Sequence, residues 1–264
     1  MNQQIKTTIR IPKKENHILN QTINKINQDK EVQTLWRVAN INAIERLNMT
    51  DHGPIHFQIV ANIGLKLFQL ISQVVKPTIT KNYPETNLNH AETVVFLGCI
   101  LHDLGMSINR EGHEMLSLFL ADRILQRTLE FIPVEERTII IAETLHAIFS
   151  HRNGGTPLTI EAGIVRVADA LDMSKGRSRI SFSKGDLSIH SVSAMAINSV
   201  ELRKGTIKPV IVKINMNNSS GLFQIDNLLK PKLKNSGLEK FIEVEAKMTG
   251  NSEHRLVKDF NLKL

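Results

Sequence analysis

The sequence predicts a mainly α fold, a helical bundle with a small α+β appendage at its C-terminal side. Three observations predict it. Apolar residues recur at helical spacing in successive segments between Val32 and Met173. Gly, Pro and small polar residues punctuate those segments where helices start and stop. After about residue 180 the apolar period shortens to two, in Ile207–Asn215 and again in Phe241–Met248.

Taken in order, residues 1–30 are rich in Asn, Gln and Lys and read as a basic polar N-terminal arm, loose or a peripheral helix. From Val32 to Leu47, Leu35, Val38, Ala39, Ile41, Ala43, Ile44 and Leu47 suit a helix. Thr50-Asp51-His52-Gly53-Pro54 has the chemistry of a helix start, small polar caps followed by Pro in the first turn. The helix it opens runs to about Val75, and Pro77 and Pro84 bracket a loop. Ala91–Leu104 is apolar nearly all round, which predicts a central buried helix that Gly105 can end. Gly112 begins another helix, Glu135–Ser150 forms the next, and Ile160–Met173 follows the loop Gly154-Gly155-Thr156-Pro157. In the tail, a short helix over Phe223–Leu229 sits between the two alternating segments, giving a β-α-β unit. The expected organisation is an arm over 1–30, a helical domain over 31–190, and an appendage over 200–264 whose strand edges pair in a homodimer.

The chain has 264 residues, and its 41 % apolar and 22 % charged content excludes collagen-like and disordered classes. The longest apolar run, Val94 to Leu101 with Gly98 inside it, is far short of the ~20 residues that a membrane-spanning helix needs. No secretory signal stands in MNQQIKTTIRIPKKE, so the expected location is the cytoplasm and no membrane partner is expected. The single cysteine, Cys99, excludes an intrachain disulfide and a thiolate zinc cage, and reads as an inert core thiol. The net charge of +7 is mild, and seven basic residues fall between Lys6 and Arg37. They read as a solvated tail or as an attraction for polyanions. One Trp and one Tyr make a nucleic-acid stacking surface a disfavoured reading, and neither a C2H2 spacing nor a P-loop is present.

Histidine is the anomaly. Of ten, seven lie between positions 52 and 151: His52, His56, His90, His102, His113, His146 and His151. His102-Asp103 stands at the end of the most apolar segment, where ionisable groups are costly unless paired or metal-bound. His56 lies in a first helical turn, His113 opens a helix, and His151 closes one. Asp169 is flanked by Val167, Ala168 and Ala170, so it is either a locally paired core carboxylate or has a cation beside it. Imidazole and carboxylate without thiolate suit one or two divalent ions among Mn, Fe, Co, Ni and Zn, and admit Mg.

The pattern His56…His102-Asp103…Asp169 resembles the H…HD…D signature of the HD superfamily of metal-dependent phosphohydrolases, over roughly residues 40–180. LHDLG around the HD pair and VRVADALD around Asp169 are similar to that family. So are the longer stretches MTDHGPIH, LHDLGMSINREGHE, AIFSHRNGG and EAGIVRVADALDMSKGRSRI, which resemble an archaeal and bacterial group of it. The resemblance implies an HD-type helical domain in which His56, His102, Asp103 and Asp169 hold a metal. His113 and His151 match the two further positions of two-metal members. The GYP tripeptide of the branch that cleaves cyclic dinucleotides is absent, so that substrate is not implied.

The implied reaction is hydrolysis of a phosphomonoester or phosphodiester in a nucleotide or related small phosphorylated molecule, with Asp103 bridging the ions of a metal pair. Catalytic roles are expected for Asp103 and for the phosphate-facing cations Arg152, Lys175 and Arg177, with Arg179 beside them. The alternative for the loop cations is a solvated loop. His52, His146, Glu114 and Asp172 are expected to touch the ligands or the substrate. His90 reads as a helix-cap neighbour. The competing functions are a catalytically silent nucleotide sensor and an HD nuclease.

Overall fold

A computed structural model describes residues 8–12, 15–152, 154–174, 193–249 and 259–262. It is mainly α, with the small α+β unit at its C-terminal side. The helices are α1 (His17–Gln28), α2 (Lys30–Ile41), α3 (Pro54–Ile71), α4 (Thr78–Asn82), α5 (Leu88–Leu101), α6 (His113–Thr128), α7 (Val134–Ser150) and α8 (Ile160–Leu171). No helix among the described residues is long and apolar enough to cross a membrane.

α5 is the central rod, packed against α1, α3, α7 and α8. Its residues from Thr93 to Leu101 are all buried, as its unbroken apolar sequence requires. Asn87 and His90 cap its start: the Asn87 side chain accepts from Asn89 N–H at 2.9 Å, and His90 Nδ1 accepts from Asn87 N–H at 3.0 Å. α3 starts as read, with Pro54 in its first turn and Asp51 Oδ1 accepting from Gly53 N–H at 2.9 Å.

Several boundaries differ from the sequence reading: α5 runs from Leu88 to Leu101 rather than Ala91 to Leu104, and the segment between Pro77 and Pro84 holds α4. The N-terminal arm contains α1, which is part of the core: Ile18, Leu19, Thr22 and Ile26 are buried along one face. Those few apolar positions lie among Asn, Gln and Lys, which hid the stripe in a polar average. α2 stops at Ile41 and continues as a π-turn over Asn42–Arg46. There the Asn42 amide donates to Met106 O at 2.9 Å and to Ser107 O at 3.0 Å. α3 ends at Ile71 and α8 at Leu171, each short of the length read from the sequence.

The C-terminal unit is a four-stranded sheet in the order β1-β2-β3-β4: Ile197–Lys204, Val210–Met216, Ile242–Met248 and Asp259–Leu262. β2 and β3 are parallel, and a helical crossover, α9 (222–233), joins them. β1 and β4 add antiparallel edges. The β-α-β unit is therefore present, flanked by two strands the alternation did not disclose. β1 has only one fully buried position, so its apolar alternation is blunted. Ile207, read as the start of a strand, is 89 % exposed in the β1–β2 turn.

The sheet does not stand apart from the bundle. β1 and β2 pack on α3, and α9 packs on α8. At Gly163 in α8, a Cβ would lie 2.2 Å from Ser236 O, so only glycine permits this approach.

Candidate metal centre

Helix ends converge at one end of the bundle. His56 sits in the first turn of α3, His102 and Asp103 follow α5, His113 opens α6, His151 follows α7, and Asp169 lies in the last turn of α8. Asp103 leaves helical geometry at φ −102° and ψ 13°, and a short 3-10 turn, Leu104–Ser107, redirects the chain. Gly105 in that turn lies against α6; a Cβ there would be 2.1 Å from His113 O. This contact fixes His113 beside the His102-Asp103 pair.

Asp103 is the hub. Its Oδ1 lies 2.9 Å from His113 Nε2 and 3.5 Å from His151 Nε2. Its Oδ2 lies 3.3 Å from His102 Nε2, 3.7 Å from His56 Nε2 and 4.0 Å from His52 Nε2. Asp169 Oδ1 faces His56 Nε2 at 3.5 Å and His102 Nε2 at 3.7 Å. Two triplets have ligand atoms that all lie within 4.8 Å of one another: His56, His102 and Asp169, and His102, Asp103 and His151. All six residues are buried.

The outer ring nitrogens show what the inner ones are for. His102 Nδ1 donates to Cys99 O at 2.9 Å and His151 Nδ1 to Ile148 O at 2.6 Å, while His113 Nδ1 lies 2.9 Å from Arg110 O and 3.1 Å from Arg110 Nη1. His56 Nδ1 donates to Asp172 Oδ2 at 2.7 Å. A carbonyl can only accept, so the His102 and His151 rings carry their neutral-state proton on Nδ1 and turn an Nε2 lone pair inward. Inward, Nε2 of His56 and His102 are 3.3 Å apart, as are those of His113 and His151. Lone pairs facing each other and two carboxylates need a cation among them. The donor set therefore fits divalent metal, with imidazole and carboxylate and no thiolate.

The electrostatics agree. Burial alone would lower the His102 pKa, but Asp103 and Asp169 outweigh it and carry it up to about 10. A proton on that ring takes the place of a cation. Burial drives His151 down to about 4 against the pull of Asp103. Burial opposes ionisation of Asp103, yet the surrounding imidazoles, His102 foremost, hold its carboxyl well below the usual range. The Cys99 thiol is pushed up by burial and is inert.

A pocket of about 930 Å³ opens onto this cluster. His52, Glu114, Arg152 and Asp172 line it. His52 Nδ1 donates to Thr50 O at 2.6 Å, which aims its other nitrogen at Asp103. Arg152 Nη1 donates to Glu114 Oε2 at 3.1 Å. His146 is a correction: five residues before His151 it points to another face of α7, and its Nε2 accepts from Leu158 N–H at 2.9 Å, outside the pocket. Lys175, Arg177 and Arg179 lie outside the described residues.

Two residues escaped the sequence reading. Lys232, from α9, lines the pocket and its ammonium donates to Asp169 Oδ2. Arg166, 1 % exposed in α8, donates to the carbonyls of Ser150 at 3.1 Å, Gly155 at 2.8 Å and Lys232 at 3.0 Å, and also to that of Arg152. The available signal for Arg166 was a lone cation inside the apolar run IVRVADAL; Lys232 had none beyond its spacing from Gln224 and Leu228.

Through the His56 Nδ1 contact, Asp172 fixes the orientation of the ring that turns its other nitrogen toward the cluster. Asp172→Asn is expected to weaken divalent-metal affinity by about 10- to 100-fold. A competition titration with a chromophoric chelator measures this, and wild-type affinity in the variant would refute the role.

The HD domain signature matches residues 55–174. The uncharacterized protein MJ1020 of Methanocaldococcus jannaschii is 38 % identical over 223 residues, covering 84 % of this chain and 86 % of that protein. No solved structure matches the chain. With the His-Asp cluster in place and the likeness running through most of both chains, the chain belongs to the HD-domain family, a superfamily of metal-dependent hydrolases.

Proposed function

We propose that this chain hydrolyses a phosphoester of a nucleotide or related small phosphorylated molecule at a two-metal centre. One observation carries the reading: the two oxygens of Asp103 face different histidine groups, His113 and His151 on one side, His102 and His56 on the other. A carboxylate so placed would help hold divalent ions on both of its sides. Such ions would lower the pKa of bound water toward about 7 and offset charge on phosphoryl oxygens.

The chain's own residues supply the rest. Asp169 and His56 complete one side of the bridge, and Asp172 holds the His56 ring. Arg152, tethered to Glu114, presents a guanidinium at the pocket wall, where anionic oxygens are favoured. The pocket volume lies in the range of small-molecule sites. Leu47, Met49, Phe149 and Met173 add an apolar side able to receive an organic moiety.

The test is an assay of the full chain on nucleoside phosphates, cyclic nucleotides and p-nitrophenyl phosphate, with Mn, Co, Ni, Fe, Zn and Mg each supplied in turn. Metal-dependent turnover that disappears in His102→Ala is the expected result. Nucleotide binding without turnover under every metal would replace hydrolysis with a sensor role.

A further inference from the structure

α9 carries two helical stripes set one residue apart. Ile225, Leu229 and Leu233 are buried in the core. Gln224, Leu228 and Lys232 line the pocket. Each set recurs every four residues, the spacing of one helical face. Eight residues of helix span roughly 10–12 Å. Along that length the pocket meets an amide, then an apolar side chain, then an ammonium.

The stripe is held firmly. Arg166 Nε donates to Lys232 O at 3.0 Å, and Gln224 Nε2 donates to Ser193 Oγ at 2.7 Å. At the cationic end, Asp169 divides its carboxylate: Oδ1 faces His56 and His102, while Oδ2 accepts from Lys232. The ammonium is thereby fixed beside the ligand cluster. It has three donors, and Asp169 Oδ2 engages one of them. A preorganised cation here faces the place where a substrate bound at the metal centre carries negative charge.

We infer that this stripe is the substrate-recognition wall, with Lys232 binding phosphoryl oxygens and Leu228 and Gln224 receiving the organic part; the inference rests on the phosphohydrolase reading above. The order of groups selects a phosphate ester whose organic part offers both an apolar face and a hydrogen-bonding edge. A nucleoside phosphate has that chemistry, and a glutamine amide is suited to a base edge. The C-terminal unit is then part of the reaction site.

Calorimetric titration of orthophosphate and of adenosine monophosphate into the manganese-loaded full chain tests this. Lys232→Gln is expected to weaken both by about 10- to 100-fold, the loss of one charge-assisted hydrogen bond, at wild-type metal content. Lys232→Arg keeps the charge and is expected to retain most of the affinity. Leu228→Ala is expected to weaken adenosine monophosphate about 3- to 10-fold while orthophosphate binding is unchanged. Wild-type orthophosphate affinity in Lys232→Gln overturns the inference alone. So does a parallel loss of metal and phosphate in both Lys232 variants, which would reduce Lys232 to a prop for Asp169. A wild-type chain that takes up manganese and binds neither probe overturns the inference and the phosphohydrolase reading together.

Discussion

Asp103→Ala is expected to lose metal content and hydrolytic activity together, the activity by at least about 10³-fold, since bridging contacts of this kind contribute several kcal/mol. The reason is positional. Among the described residues, Asp103 is the one carboxylate whose two oxygens face both histidine pairs, His113 with His151 and His102 with His56. Without it, Asp169 is the described carboxylate left facing the inward Nε2 atoms, and it faces His56 and His102 alone. Asp103→Asn keeps the shape and one acceptor oxygen but loses the charge and the second acceptor. It is expected to bind less metal per chain than wild type. Elemental analysis of dialysed protein, read beside turnover, measures both. An Asp103→Ala protein with full metal content and more than a tenth of wild-type turnover would remove Asp103 from the centre of the mechanism.

The largest effect on stability is expected at Arg166. Its guanidinium is buried and donates to carbonyls of two separate segments, Ser150, Arg152 and Gly155 at the end of α7 and the turn after it, and Lys232 in α9. Arg166→Ala removes the side-chain donor these carbonyls share and opens a void, although Arg152 O keeps the Gly155 N–H at 3.0 Å. Breaking a buried charged network of this sort costs about 3–5 kcal/mol. For a chain of this length that lowers the melting temperature by roughly 10 °C. Arg166→Lys keeps the charge but not the planar fork, so it is expected to fall between the two. A thermal melt followed by circular dichroism decides it, and an Arg166→Ala midpoint within about 2 °C of wild type would show that the carbonyls find other donors. Because the carbonyls held include those of Arg152 and Lys232, the variant is also expected to bind orthophosphate weakly.

The bundle and its ligand-bearing ends were legible because they break local rules. His102-Asp103 ends an apolar helix, and Asp169 interrupts another; polar groups in such places need a reason. Gly53-Pro54 marked the start that places His56, and Gly112 marked the one that places His113. The rest was hidden for physical causes. α1 contributes a narrow stripe within a polar segment. β1 is an edge strand with little burial to enforce alternation. His146 shares a helix with His151, yet 140° of rotation about the axis separates positions five apart. Lys232 lies 63 residues beyond Asp169, in a short helix whose lysines look like ordinary surface charge. The packing of α9 on α8, with the turn after α9 lying close against Gly163, brings it to the pocket.

That docking divides the labour of the molecule along its length. The His-Asp cluster ends at Asp169, while Gln224, Leu228 and Lys232 line the same pocket from a separate element. Under the recognition role inferred for that element, changes at Leu228 would retune what is admitted and leave the cluster intact, because the two kinds of residue are inherited on different stretches of the gene. Relatives that share the bundle but carry other residues on this helix would keep the chemistry and change their diet.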